Sequence, residues 1–110
     1  MFVSQVVGKS MEPLIPDGSY CLFAPPVEGT RQGRILLVQK RGISDPDTGG
    51  SYTIKRYRSR KMFLEGEQWE HEQIELCPEN PNYPVLNIRN VDSNELQVIA
   101  EFIEVLRNLK

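Results

Sequence analysis

The sequence predicts a single, mainly β domain. Short apolar, β-branched and aromatic runs alternate with turn residues from end to end, the pattern of strands joined by turns. A length of 110 residues suffices for one core but not two. There is no internal repeat and no low-complexity tract, so residues 1–110 read as one domain, a fragment of a larger protein.

The elements follow in order. A short helix, the only one expected, begins near Ser10 and is capped by that serine or its neighbours. Tyr20–Ala24 reads as a strand stopped by Pro25 and Pro26. Ile35–Val38 is a continuous apolar run between Gly33 and the charged Lys40-Arg41, which suits a strand buried on both faces. Ser44–Ser51 is rich in Asp, Gly and Pro and reads as a loop. Tyr52–Tyr57 is strand-like, and further strands are expected at Lys61–Leu64, Gln73–Leu76 and Val85–Ile88. Near the C-terminus, Ile99, Ala100, Phe102, Ile103, Val105, Leu106 and Leu109 suit either a helix face or a strand.

Composition narrows the function classes. Hydrophobic content of 39% and charged content of 25% are those of an ordinary soluble globular protein. A net charge of −2 gives no overall attraction to nucleic acid or anionic membrane. No apolar run approaches the roughly 20 residues of a membrane helix, and no signal peptide opens the chain, so a cytoplasmic location without membrane contact is expected. Cys21 and Cys77 sit in strand-like apolar runs and read as reduced structural thiols. With His71 the only histidine and no Cys-x-x-Cys, neither a zinc site nor another cofactor is expected.

Chemistry concentrates at two residues. Ser10 lies in Gly8-Lys9-Ser10-Met11-Glu12-Pro13, followed by Ile15-Pro16-Asp17-Gly18; Lys55 lies in Tyr52-Thr53-Ile54-Lys55-Arg56-Tyr57. A serine hydroxyl is a poor nucleophile until a neighbouring base removes its proton. An amine serves as that base only when neutral near pH 7. Free lysine titrates at about 10.4, so the role requires burial that lowers it by several units. Strand alternation puts Thr53, Lys55 and Tyr57 on one face and Ile54, Arg56 and Arg58 on the other, which offers the Thr53 hydroxyl as a partner for the amine.

Competing readings are weaker. A lone serine here would be an N-cap, a role compatible with catalysis, since a helix N-terminus also presents N–H groups to an oxyanion. Gly8-Lys9-Ser10 matches the end of a phosphate-binding loop, but the glycine required five residues before Gly8 is Val3, so no nucleotide site follows. Lys55 to Lys61 could be a basic nucleic-acid patch. With nothing else in the chain basic, a strand with a solvated arginine face that protects a sheet edge is preferred. Trp69 and His71 lie in an acidic stretch and read as surface-loop residues without chemistry.

Gly-x-Ser-Met, x-Pro-Asp-Gly and Thr-Ile-Lys-Arg-Tyr together resemble the LexA family of serine peptidases, which includes UmuD and the phage repressors, and more distantly bacterial signal peptidases. Ile74-Glu75-Leu76-Cys77-Pro78-Glu79-Asn80 is similar to the family's segment after the lysine strand, and Val98 to Val105 to its closing strand. The likeness spans nearly the whole chain in one order. It implies a LexA/signal-peptidase-like coiled β-barrel or sheet, with the C-terminal stretch a long strand. It also implies a Ser10–Lys55 dyad, an oxyanion hole from the N–H groups of Lys9 and Ser10, and support from Gly8, Met11 and Thr53. Lys9 departs from the methionine, aspartate or serine usual there, and the loop between Lys40 and Ser51 looks longer than in the repressors.

The function expected from this resemblance is serine endopeptidase activity. Its substrate is a peptide segment of the chain's own larger protein or of another protein, as in self-cleaving repressors and SOS-response factors stimulated by RecA filaments. Self-cleaving members carry an upstream Ala-Gly or Cys-Gly pair, and neither occurs in this chain; DNA contact would require an upstream domain. The alternatives are a signal-peptidase-like enzyme acting in trans, disfavoured by the missing anchor, and a non-catalytic dimerisation module of the same fold. Residues 98–106 are more apolar than a solvated edge strand should be, so a homodimer through that stretch is expected.

Overall fold

The computed structural model describes residues 1–26, 29–40, 52–63, 70–89 and 96–106, with the backbone alone at 61–63, 70–72 and 89. Among them the chain forms seven strands and no helix. These are β1 (Phe2–Val6), β2 (Ser19–Ala24), β3 (Ile35–Lys40), β4 (Tyr52–Phe63), β5 (Glu70–Cys77), β6 (Leu86–Arg89) and β7 (Leu96–Val105). They build one sheet in the order β1-β2-β7-β3-β4-β5-β6, antiparallel at every pairing. The mainly β expectation holds. The predicted loop at 44–51 lies outside the described residues, as does Trp69.

β3 shows why its run is apolar at every position. Ile35 and Leu37 turn toward a cluster with Val6, Met11, Ile15, Cys21, Phe23 and Ala100. Leu36 and Val38 turn the other way, toward Tyr57, Ile74, Leu76 and Ile88. A strand between two cores loses the polar half of its alternation. Phe23 anchors the first cluster: it is 1% exposed, stacks on Phe2 at 5.3 Å and meets Phe102 edge-on at 6.2 Å. Phe23→Ala should destabilise the fold by about 3–5 kcal/mol, read from the shift in urea midpoint.

Four expectations are corrected. The segment after Ser10 makes single turns instead of a helix, with Glu12 N–H donating to the Lys9 carbonyl at 3.1 Å and Ile15 N–H to that of Met11 at 2.9 Å. Pro13 and Pro16 supply no N–H, and Pro13 disfavours helical geometry at Glu12. Tyr52–Tyr57 and the expected strand at Lys61 belong to one strand, β4. Its charged middle is not a break, because the pairs Arg58↔Glu75 and Arg60↔Gln73 continue the ladder, with Arg60 2.8 Å from Glu75. β4 is also interior, so its arginines protect no edge, and His71 lies in β5 rather than in a loop.

β7 is likewise interior. It pairs with β3 from Leu96 to Glu101 and with β2 from Glu101 to Val105, and Ala100 is fully buried. Its apolar character comes from closing the sheet, so the edge-strand premise of the dimer expectation does not stand. β1 escaped the sequence reading because four of its five residues are exposed, which leaves no alternation to read.

Candidate active site

Residues 7–18 form the loop of the β1–β2 hairpin, whose last pair is Val6↔Ser19. The loop is held shut at its base. Gly18 N–H donates to the Val6 carbonyl at 2.8 Å, Gly8 N–H to Asp17 Oδ1 at 2.7 Å, and Asp17 N–H to Glu12 Oε2 at 3.2 Å. Gly8 and Gly18 have φ of 118° and 83°, left-handed values that suit glycine. Met11 and Ile15 fasten the loop to the core, at 2% and 0% exposure. The spacing from Gly8 through Asp17-Gly18 therefore describes one closed loop, with Ser10 near its start.

β4 supplies the other half. Lys55 is 1% exposed and Thr53 2%, while Ser10 is 7% exposed. Lys55 Nζ lies 2.9 Å from Ser10 Oγ, donates to Thr53 Oγ1 at 2.8 Å and donates to the Ile54 carbonyl at 3.0 Å. The Ile54 carbonyl can only accept. A neutral amine giving its two hydrogens to Ile54 and Thr53 would turn its lone pair toward the Ser10 hydroxyl. That arrangement suits proton abstraction from serine, and burial itself favours an uncharged amine. Beside Ser10 opens a cleft of about 290 Å³ between β1 and the start of β4, lined among others by Gln5, Val6, Gly8, Met11 and Ile54.

Of the residues singled out in the sequence, the fold thus brings Gly8, Ser10, Met11, Thr53 and Lys55 to one place, and Lys9 follows them as the neighbour of Ser10. The sequence reading missed Asn80. Its N–H donates to the Ser10 carbonyl at 3.0 Å and its Nδ2 to the Lys9 carbonyl at 3.0 Å. In the sequence Asn80 stands only as the last residue of a segment similar to the family's, and nothing local in it indicates a contact with residues so distant.

The cysteines are free. Burial pushes the Cys21 thiol up from its ordinary range. Cys77 is also raised, chiefly by burial, with the Arg58 guanidinium opposing. Thiols so shifted stay protonated near neutrality and make poor nucleophiles. Among the described residues no group of three or more His, Cys, Asp or Glu side chains could hold a metal ion, and no helix is long and apolar enough to cross a membrane.

No curated protein matches the chain. The sequence model of the family described as Peptidase S24-like matches residues 1–103. That span holds the serine loop, the lysine strand, the Asn80 turn and most of β7, so the chain belongs to the Peptidase S24-like family.

Proposed function

We propose that the chain is a serine endopeptidase working through a Ser10–Lys55 dyad. The observation that carries this reading is the 2.9 Å approach of a 1% exposed lysine amine to a serine hydroxyl beside an open cleft. Neutral Lys55 takes the Ser10 proton as Oγ attacks a peptide carbonyl carbon, and the N–H groups of Lys9 and Ser10 receive the oxyanion. The ammonium of Lys55 then protonates the leaving amine as the C–N bond breaks, leaving an acyl ester on Ser10. Water attacks that ester, giving a proton to Lys55, and Ser10 departs with a proton restored from the same amine.

The substrate is a peptide with a small residue before the scissile bond, and a segment of the chain's own larger protein is the first candidate. The experiment is cleavage of upstream segments and a peptide library, read by mass spectrometry, with and without RecA filaments. Stimulation by filaments supports a repressor or damage-response role. Cleavage without them supports processing in trans, and no cleavage of any peptide, with no acylation of Ser10, removes the peptidase reading. Homodimerisation is a separate proposal, supported now by the 45% exposure of Ile103 on β7. Sedimentation at micromolar concentration should give a dimer that Ile103→Glu dissociates; a monomer removes the proposal.

A further inference from the structure

We infer that Asn80 is a positioning residue for the reaction, setting the direction of the Ser10 N–H toward the oxyanion; this rests on the dyad reading above. A trans peptide is planar, with its C=O and N–H pointing in opposite directions. The only cis bond among the described residues is Glu12–Pro13, so the Lys9–Ser10 peptide is trans. Its carbonyl accepts from Asn80 Nδ2 at 3.0 Å and from Glu12 N–H at 3.1 Å. Two donors on that oxygen fix the plane of the peptide, and so fix where the Ser10 N–H at its other end points. The next peptide is held by the same residue, because the Ser10 carbonyl accepts the Asn80 main-chain N–H at 3.0 Å. The nucleophile's α-carbon therefore sits between two peptides that both hang from Asn80.

Asn80 is itself braced. Its Oδ1 accepts Asn82 N–H at 3.0 Å, and its carbonyl accepts Tyr83 N–H at 3.1 Å. The preceding Glu79 is gripped by Arg56 through Nε and Nη2, each at 2.7 Å, while Arg56 Nη1 donates to the Gly33 carbonyl at 2.6 Å. Arg56 follows Lys55 on β4. One strand thus carries the amine on one face and, on the other, the arginine that secures the turn holding the serine. Catalytic hydrogen-bond donors act strongly when their direction is fixed before reaction, and this frame ties that direction to the position of the base.

Asn80→Asp is the informative substitution. It keeps the shape, the main-chain bond to Ser10 and the oxygen that accepts from Asn82, but replaces the donor to the Lys9 carbonyl with a second acceptor. The probes are a peptide boronate, which forms a tetrahedral adduct on Ser10 with its oxygen in the oxyanion position, and the peptide acid of the same sequence. Asn80→Asp should lower kcat and boronate affinity by about tenfold or more, with KM and peptide-acid affinity unchanged within about twofold. Equal weakening of both probes, or no change in either with an active parent, overturns the inference. The Ser10 amide resonance gives a readout independent of turnover: it should shift in Asn80→Asp, and an unmoved resonance overturns the inference whether or not the parent cleaves. A parent that neither cleaves nor forms the adduct defeats the peptidase reading instead. If Asn80→Asp does not fold, Glu79→Gln, which weakens the Arg56 brace, should give the same kcat-selective loss and the same amide shift in smaller measure; neither appearing overturns the inference.

Discussion

Ser10→Ala and Lys55→Met should each abolish cleavage of the supplied segment, by a factor on the order of 10⁴ or more, while the chain stays folded. In the proposed mechanism Oγ forms the acyl bond and Nζ moves its proton, so each is useless without the other and the double variant should be no worse than either single one. Methionine is the choice at position 55 because it fills the lysine's volume without leaving a void opposite Leu36, its register partner on β3. Lys55→Arg should be equally inactive, since a guanidinium does not give up its proton in proteins. Circular dichroism and urea midpoints close to those of the parent separate lost chemistry from lost fold. Parent-level activity in Ser10→Ala removes the nucleophile assignment, and parent-level activity in Lys55→Met removes the base.

Much of the candidate site was legible in the sequence because its parts lie in segments similar to the family's. Gly8-Lys9-Ser10-Met11 and Pro16-Asp17-Gly18 carry that likeness, and the structure shows what it is for: Gly8, Asp17 and Gly18 close the loop around Ser10. Alternation along Thr53-Ile54-Lys55 put the hydroxyl and the amine on one face before any contact was known, and the fold keeps them there. What stayed hidden is non-local. Asn80 donates to the Lys9 carbonyl across 71 positions, and the likeness of its segment to the family contains no information about what Asn80 touches. β7 looked like a sticky edge because apolar content reports burial without saying what does the burying; sheet order places β2 on one side and β3 on the other. The helix expected at Ser10 failed on a local conflict that was visible, Pro13 and Pro16, which outweighed the capping signal of the serine.

Cleavage by the parent chain should rise with pH, by about tenfold per unit, until the amine is fully neutral, and then level off. In the proposed dyad only the lone pair of an uncharged Lys55 accepts the Ser10 proton, so the rate should follow the neutral fraction. Single-turnover measurement is needed, so that chemistry and not product release is observed. The alkaline end carries a separate effect from Cys21, whose thiol is raised by burial from an ordinary value of 9.0. A thiol that keeps its proton in the fold while the unfolded chain loses it stabilises the fold fully below that ordinary value. The contribution is lost as pH rises through the higher folded value. Stability should therefore decline at alkaline pH in the parent and decline less in Cys21→Ala, while both share one rate profile in the range where both are folded. A rate that does not change from mildly acidic to strongly alkaline pH, with chemistry limiting, would leave Lys55 without the role of base.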